Sequence, residues 1–238
     1  MKYTESHKDK GGDYDEYIQS SPWDSYMANC ENKILESILP DIIGQLKSAK
    51  TLDFACGTGR ITRILEKYSS CSFGVDVSEN MVNQAISKTK ATKYHIVNIL
   101  KDEYKEKDFD LITAFRFFGN AEVELSESVL NKLNSLLKKE GLLVLNNHRN
   151  YWSIQEILHR LTGGEGRMKL THNKLKVMLE RNGFKIIKKY CIGGWVIRNA
   201  FDSERVLNSN YSHIMELVSS VILPSSLCPD SIIIAKKV

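Results

Sequence analysis

The decapeptide TLDFACGTGR, residues 51–60, decides the fold of this chain. Its first five residues form a short, mainly apolar run, as in a buried β-strand. Gly57 and Gly59 follow at once, and apolar residues then recur at helical spacing up to Tyr68. A strand therefore turns into a helix at the glycines, where a backbone without side chains can approach a nucleotide-like ligand closely.

Strands and helices alternate beyond this motif. Further strands are predicted at residues 71–75, 94–99, 109–115, 142–145, 184–192 and 231–236. Further helices are predicted after Ser78 and at residues 125–137, 154–161, 175–181 and 204–221. Because strands alternate with helices, we expect an α/β fold built on a parallel sheet that is wound on both faces.

Three segments stand outside this alternation. Residues 1–13 are polar and lack periodicity, so we expect a mobile arm. Residues 14–45 are rich in aromatic side chains and continue with helical periodicity, which predicts an N-terminal helical cap on a single domain of residues 14–238. Residues 193–230 form a long excursion between the last two strands, which is typical of a lid or substrate cover.

The composition predicts a globular protein in a reducing compartment. The 238 residues are 42% hydrophobic, and their net charge of +4 is spread along the chain, so nucleic acid is not an expected partner. Five cysteines form no CxxC pair, which favours reduced thiols over a disulfide framework or a cysteine zinc site. No apolar run reaches the length of a membrane span, and we predict a cytoplasmic location.

An acidic residue ends the second predicted strand. Asp76 follows Gly57 at about the 20-residue spacing that dinucleotide sites use. A carboxylate there can accept hydrogen bonds from both hydroxyls of an adenosine ribose. The nicotinamide fingerprint GxGxxG needs a third glycine, but Thr62 stands in its place. The pattern therefore favours an adenosine-containing ligand other than a nicotinamide dinucleotide.

Residues 52–59 resemble the first motif of the class I S-adenosylmethionine-dependent methyltransferases, which reads hydrophobic-Asp-hydrophobic-Ala/Gly-Cys/Gly-Gly-x-Gly. The resemblance implies a Rossmann-like sheet of seven mostly parallel strands, with an antiparallel last strand and helices on both faces. It implies S-adenosyl-L-methionine as cofactor and S-adenosyl-L-homocysteine as product. Residues 115–122 and 146–150 look like a bacterial small-molecule subgroup associated with secondary metabolites and surface glycans.

The same resemblance implies the residues that bind the cofactor. Val77 and Met81 would pack on the adenine, and Asp53 would organise the loop and the cofactor's amino group. Asn98 departs from the aspartate that such enzymes often carry, but an amide can still donate and accept hydrogen bonds. The expected cofactor-binding residues are Asp53, Ala55, Cys56, Gly57, Thr58, Gly59, Asp76, Val77, Met81, Asn98, Ile99 and Phe115.

Polar residues follow the fourth and fifth strands, at the edge where open α/β sheets bind ligands. Arg116 is expected to orient an anionic or hydroxylated acceptor. His148 is expected to act as general base, or alternatively to close the loop as a structural residue. The strand ends lack the carboxylates of catechol-type enzymes, so no metal is predicted. The residues expected to contact the acceptor are Tyr14, Tyr17, Trp23, Phe118 and Asn147.

These features predict a metal-independent methyltransferase that acts on a small molecule at a hydroxyl oxygen. Displacement at an already activated methyl carbon needs alignment more than a fixed catalytic consensus. The alternatives are a cofactor-binding partner protein without transferase activity, and an N-, RNA or protein methyltransferase. Enzymes that methylate amino groups of adenine resemble one another in an Asn/Asp-Pro-Pro-Tyr run, whereas the four prolines here are never adjacent.

Overall fold

The computed structural model describes residues 20–44, 48–148, 150–163, 170–194, 207 and 210–238. The strands are β1 Lys50–Phe54, β2 Cys71–Asp76, β3 Lys93–Ile96, β4 Phe109–Ala114, β5 Leu137–Asn147, β6 Phe184–Ile192 and β7 Asp230–Lys237. The α-helices are α1 Pro22–Ile43, α2 Thr62–Tyr68, α3 Glu79–Lys88, α4 Val123–Leu136, α5 Ile154–Leu161, α6 His172–Arg181 and α7 Asn210–Ile222.

The strands form one sheet in the order β3-β2-β1-β4-β5-β7-β6. Neighbours from β3 to β5 are parallel, whereas β7 runs antiparallel to both β5 and β6. The order reverses at β1 and β4, so the carboxyl ends of these two strands flank the crevice in which open α/β sheets bind ligands. The predicted Rossmann-like fold, with its antiparallel last strand, is confirmed.

Two apolar clusters cover the two faces of the sheet. Neighbouring residues of one strand, such as Leu111 and Ile112 of β4, belong to different clusters because side chains alternate along a strand. One cluster packs α4 and α6 against the sheet, and the other packs α1 and α2. The central strands are thereby removed from water on both faces, which is the main favourable contribution to folding.

Helix α1 is capped by Ser21, whose hydroxyl accepts a hydrogen bond from the backbone amide of Asp24 at 3.2 Å. Pro22 occupies the first turn, where its missing N–H costs nothing. The helix continues through Pro40 to Ile43, within the segment of residues 14–45 that was predicted to be helical. The predicted N-terminal segment is therefore helical from Pro22 onward, while Tyr14, Tyr17 and the predicted arm lie outside the described residues.

Two predicted strand boundaries differ from the structure. β3 ends at Ile96, so Asn98 and Ile99 follow the strand. Asn98 begins a turn there, because its side-chain oxygen accepts from the amide of Leu100 at 3.1 Å and its own amide donates to Asp102 at 2.8 Å. β5 is longer than predicted and continues to Asn147, since its polar end pairs with β7.

The prediction that all five cysteines are reduced thiols is wrong, since Cys191 and Cys228 form a disulfide. Cys191 is near the end of β6 and Cys228 shortly precedes β7, so antiparallel pairing brings two cysteines 37 positions apart together. The spacing of cysteines in the sequence could not reveal this. Cys30, Cys56 and Cys71 are free.

The excursion between β6 and β7 is described in part. Residues 195–206, 208 and 209 lie outside the described residues, and α7 corresponds to the predicted helix of residues 204–221. Glu216 of α7 accepts hydrogen bonds from the Tyr26 hydroxyl at 2.8 Å and from the Gly193 amide at 2.7 Å. α7 is thus attached to α1. No helix in the described ranges is long and apolar enough to cross a membrane.

Candidate functional site

A cavity lies over the carboxyl ends of β1, β2 and β4. Its wall combines the glycine-containing loop after β1 with apolar side chains and a few polar ones. Its lining residues are Asp53, Phe54, Ala55, Cys56, Gly57, Thr58, Arg60, Ile61, Val75, Asp76, Val77, Met81, Val97, Asn98, Ile99, Leu100, Phe115, Arg116, Phe117, Asn120, Leu125 and Val129. A cavity of this shape and place is the expected binding site of the fold.

The loop after β1 is tied to the end of β2. Gly57 has a φ of 54°, a conformation that glycine adopts without steric cost. Its amide donates a hydrogen bond to Oδ2 of Asp76 at 2.9 Å, and the amide of Ser78 donates to Oδ1 at 3.0 Å. Each carboxylate oxygen has two lone pairs, so Asp76 can still accept hydrogen bonds from a ligand.

Asp53 is a buried carboxyl beneath the loop. Its two oxygens accept hydrogen bonds from the hydroxyls of Thr62 and Thr113, at 2.5 and 2.7 Å. Burial raises the pKa of Asp53 to about 6, although these hydrogen bonds and the charge of Arg60 act in the opposite direction. Cys56 lies beside it, and burial raises the pKa of this thiol well above its usual value, which makes it a poor nucleophile.

The β2 and β3 side of the cavity is mainly apolar. Ser78 caps α3, and its hydroxyl accepts from the amide of Met81 at 3.4 Å. The cap turns the buried Met81 side chain toward the loop, and the Met81 sulfur would lie 3.7 Å from a Cβ added at Gly57. Val77, Asn98 and Ile99 complete this wall. This wall can contact a flat ring through its apolar side chains, and the side-chain amide of Asn98 can form a hydrogen bond to the edge of that ring.

The β4 end of the cavity carries Phe115 and Arg116. Arg116 has a φ of 58°, which is uncommon for a residue with a side chain and often marks a functional site. Its backbone amide donates to the side-chain oxygen of Asn146 at 2.5 Å, and its carbonyl accepts from the Asn120 side chain at 2.7 Å. These two bonds on the main chain hold the unusual conformation.

Glu31 of α1 connects two cationic residues of the cavity wall. Its side chain is fully buried, and Oε2 lies 2.6 Å from Nη2 of Arg60 and 3.6 Å from Nε of Arg116. Oε1 accepts a hydrogen bond from the side chain of Asn146 at 2.6 Å. A buried carboxylate needs such partners to offset its desolvation.

His148 and Asp230 form a buried pair across β5 and β7. Nδ1 of His148 lies 2.6 Å from Oδ2 of Asp230, and both side chains are less than a tenth exposed. His148 directly follows β5 and continues its alternation of side chains, so it lies on the same side as Asn146. It stands at the carboxyl edge of the sheet but does not line the cavity.

Among the residues predicted to contact the acceptor, the three that lie within the described ranges, Trp23, Phe118 and Asn147, do not line the cavity. Trp23 is buried among the apolar residues of α1, and Phe118 is fully buried in the core in edge contact with Phe117. The side-chain amide of Asn147 donates to Nδ1 of His172 at 2.7 Å, on the other face of β5. Burial lowers the pKa of His172 to about 4, so it is neutral and accepts this bond.

The cavity brings together most of the predicted cofactor residues. All of them line the cavity except Gly59. Gly59 has a φ of 82° and contributes to the turn of the loop through its backbone. The roles of Glu31, Arg60 and Asn146 were not predicted from the sequence. A signal for Glu31 was present, because it interrupts an apolar row of α1 between Met27 and Leu35, and a charge in such a row needs a buried partner.

The chain matches a known family over most of its length. The sequence model of a family described as a methyltransferase domain matches residues 45–214. A protein of Geobacillus sp. (strain WCH70), named as a methyltransferase without a stated substrate, is 29% identical over 145 residues. That alignment covers 58% of this chain and 56% of the relative, so the chain spans about half of that relative's length.

Two further proteins are similar over a larger share of the chain. A ubiquinone biosynthesis O-methyltransferase of Coxiella burnetii is 26% identical over 183 residues, which are 70% of this chain and 76% of that protein. Among solved structures, magnesium protoporphyrin IX methyltransferase from Synechocystis PCC 6803 with bound SAH has a TM-score of 0.60 at 15% identity. The structural alignment covers 90% of this chain and 86% of the Synechocystis protein. At this low identity the similarity shows a shared fold.

Proposed function

Since this chain belongs to the class I S-adenosylmethionine-dependent methyltransferases, we propose that it methylates a hydroxyl oxygen of a small molecule without a metal ion. The observation that carries the proposal is the Gly57 loop, pinned by Asp76 at one end of a cavity whose other end carries Arg116. S-Adenosylmethionine supplies a methyl group on a sulfonium, which is already activated for transfer. The protein has to bind the donor, align the acceptor and exclude water.

The residues of the cavity fit the adenosine part of the donor. Asp76 retains lone pairs for the two ribose hydroxyls after accepting from Gly57 and Ser78. Val77, Met81 and Ile99 offer apolar contacts for adenine, and the Asn98 amide can hydrogen-bond to its edge. These roles rest on the arrangement of side chains around the loop.

The His148–Asp230 pair, which stands at the carboxyl edge of the sheet outside the cavity lining, is the candidate base for a hydroxyl acceptor. A carboxylate on Nδ1 favours the tautomer that keeps its proton there, so Nε2 has the lone pair that can take a hydroxyl proton. An oxygen nucleophile gains most from such a base, because a neutral hydroxyl attacks poorly. The Coxiella burnetii relative, named as an O-methyltransferase, points to the same atom.

Transfer of label tests this proposal. The purified chain would be incubated with methyl-labelled S-adenosylmethionine and with matched acceptors that carry a phenol, an aliphatic hydroxyl, a carboxylate or an amine. Label in the phenol or hydroxyl acceptors, with release of S-adenosylhomocysteine, is the expected result. Label in the amine alone would show that the chain methylates nitrogen and not oxygen. Binding of the donor with no label in any acceptor would favour a non-catalytic partner protein.

A further inference from the structure

Glu31 lies outside the family-matched region of residues 45–214, yet it contacts the cavity wall twice. Its carboxylate bonds to Arg60, which follows the glycine loop directly, and faces Arg116 beyond the end of β4. Arg60 also donates to the Ala28 carbonyl at 3.4 Å and to Asn32 at 2.8 Å. Helix α1 is thus fastened to the loop that borders the cavity.

Arg116 lies on the far side of β1 from Asp76, and Arg60 follows the glycine loop between them. Asp76 ends β2, Arg116 follows β4, and β1 lies between these strands. Neighbouring strands are about 4.8 Å apart, so β2 and β4 are separated by roughly 10 Å. Asp76, Arg60 and Arg116 all line the cavity. A ligand that is anchored on Asp76 and extends across β1 would therefore approach both arginines.

We propose that Glu31 is a positioning residue that holds Arg60 and Arg116 where they bind the carboxylate of the donor's amino-acid group. This inference rests on the proposed use of S-adenosylmethionine, whose amino-acid chain extends from the ribose and ends in a carboxylate. Guanidinium groups bind carboxylates with parallel hydrogen bonds, but only when they are held in orientation. Glu31 and Asn146, which bond to each other, supply that orientation from α1 and β5.

A binding comparison tests the inference without knowledge of the acceptor. Calorimetry would measure two ligands, S-adenosylhomocysteine and its decarboxylated analogue, which keeps the adenosine, the sulfur and the amine. In Glu31→Gln, the Kd of S-adenosylhomocysteine is expected to rise about tenfold or more, while that of the analogue stays within about twofold. Arg116→Gln is expected to give the same selective loss.

Glu36→Gln is the matched control, because Glu36 lies on the same helix and forms an ion pair with Lys67 at 2.8 Å away from the cavity. Both ligands should bind it as they bind the wild type. Equal weakening of both ligands in Glu31→Gln, or no weakening of either, would overturn the inference. If Glu31→Gln does not fold, Arg116→Lys, which keeps the charge but loses the planar fork, must show the selective loss.

The affinity of the wild-type protein for the two ligands distinguishes a failure of this inference from a failure of the proposed function. Wild-type protein that binds neither ligand would contradict the use of S-adenosylmethionine itself. Wild-type protein that binds both ligands with equal affinity would contradict the carboxylate subsite alone, because the arginines would then contribute nothing to the donor. Equal affinity for both ligands is also the result expected if Arg116 binds an anionic acceptor instead of the donor.

Discussion

Asp76 and Gly57 are joined by a hydrogen bond of 2.9 Å from the Gly57 amide to the Asp76 carboxylate. The bond links the ends of two adjacent parallel strands, β1 and β2. It places the acidic side chain and the glycine loop on the same wall of the cavity. The spacing of these two residues in the sequence therefore corresponds to a direct contact in space.

Asp76→Ala should weaken binding of S-adenosylhomocysteine by about 1–3 kcal/mol, because it removes charge-assisted hydrogen bonds to the ribose and frees the loop amide. Calorimetry measures the loss. Glu79→Gln, an exposed carboxylate three residues further on in α3, serves as the control and should bind normally. Unchanged affinity in Asp76→Ala would show that Asp76 does not contact the ligand.

His148→Ala should lower the rate of methyl transfer by about 100-fold if His148 is the general base, with little effect on donor affinity. The rate is measured as release of S-adenosylhomocysteine with a phenolic acceptor. Asp230→Asn should lower the rate less, because the imidazole remains but loses the carboxylate that fixes its tautomer. His159→Ala, on α5, is the control. A small effect of His148→Ala would identify His148 as a structural residue.

The raised pKa of Asp53 gives stability a defined dependence on pH. Its carboxyl ionises near pH 4 in the unfolded chain and near pH 6 in the folded one, chiefly because of burial. Between these values the folded state holds the extra proton, so the contribution of Asp53 to stability falls as the pH rises from 4 to 6. The loss amounts to about 3 kcal/mol and is complete above pH 6.

Asp53→Asn should remove this dependence. Urea unfolding of the ligand-free protein between pH 4.5 and 7.5 would show the stability of the variant rising relative to that of the wild type up to about pH 6 and then remaining constant. Asp102→Asn, at an exposed carboxylate, provides the reference profile. A constant difference between Asp53→Asn and wild type over the whole range would contradict the raised pKa.

The sequence predicted the part of the site that local patterns determine. The strand, the two glycines and Asp76 are near each other in sequence or at a fixed spacing, so their chemistry could be inferred before their geometry. Contacts between distant segments could not. Glu31 reaches Asn146 across 115 positions and His148 reaches Asp230 across 82, and both pairs depend on sheet order and helix packing.

The boundaries of the elements illustrate the same limit. The polar end of β5, at Asn146 and Asn147, reads as a loop in sequence because asparagine is poor in strands. In the structure it pairs with Ile232 and Ser231 of β7, which supply the backbone partners that extend the strand.

The Cys191–Cys228 disulfide can be tested by the number of reactive thiols and by the loss of stability when the bond is removed. Under denaturing, non-reducing conditions, three of the five cysteines should react, namely Cys30, Cys56 and Cys71. The bond closes a loop of 37 positions, for which chain entropy gives a stabilisation of about 3–4 kcal/mol. Cys191→Ser with Cys228→Ser should therefore lower Tm by roughly 6–16 °C, and a reductant should lower the wild-type Tm to the same value. Cys71→Ser should leave Tm sensitive to reductant, and five reactive thiols in the wild type would contradict the bond.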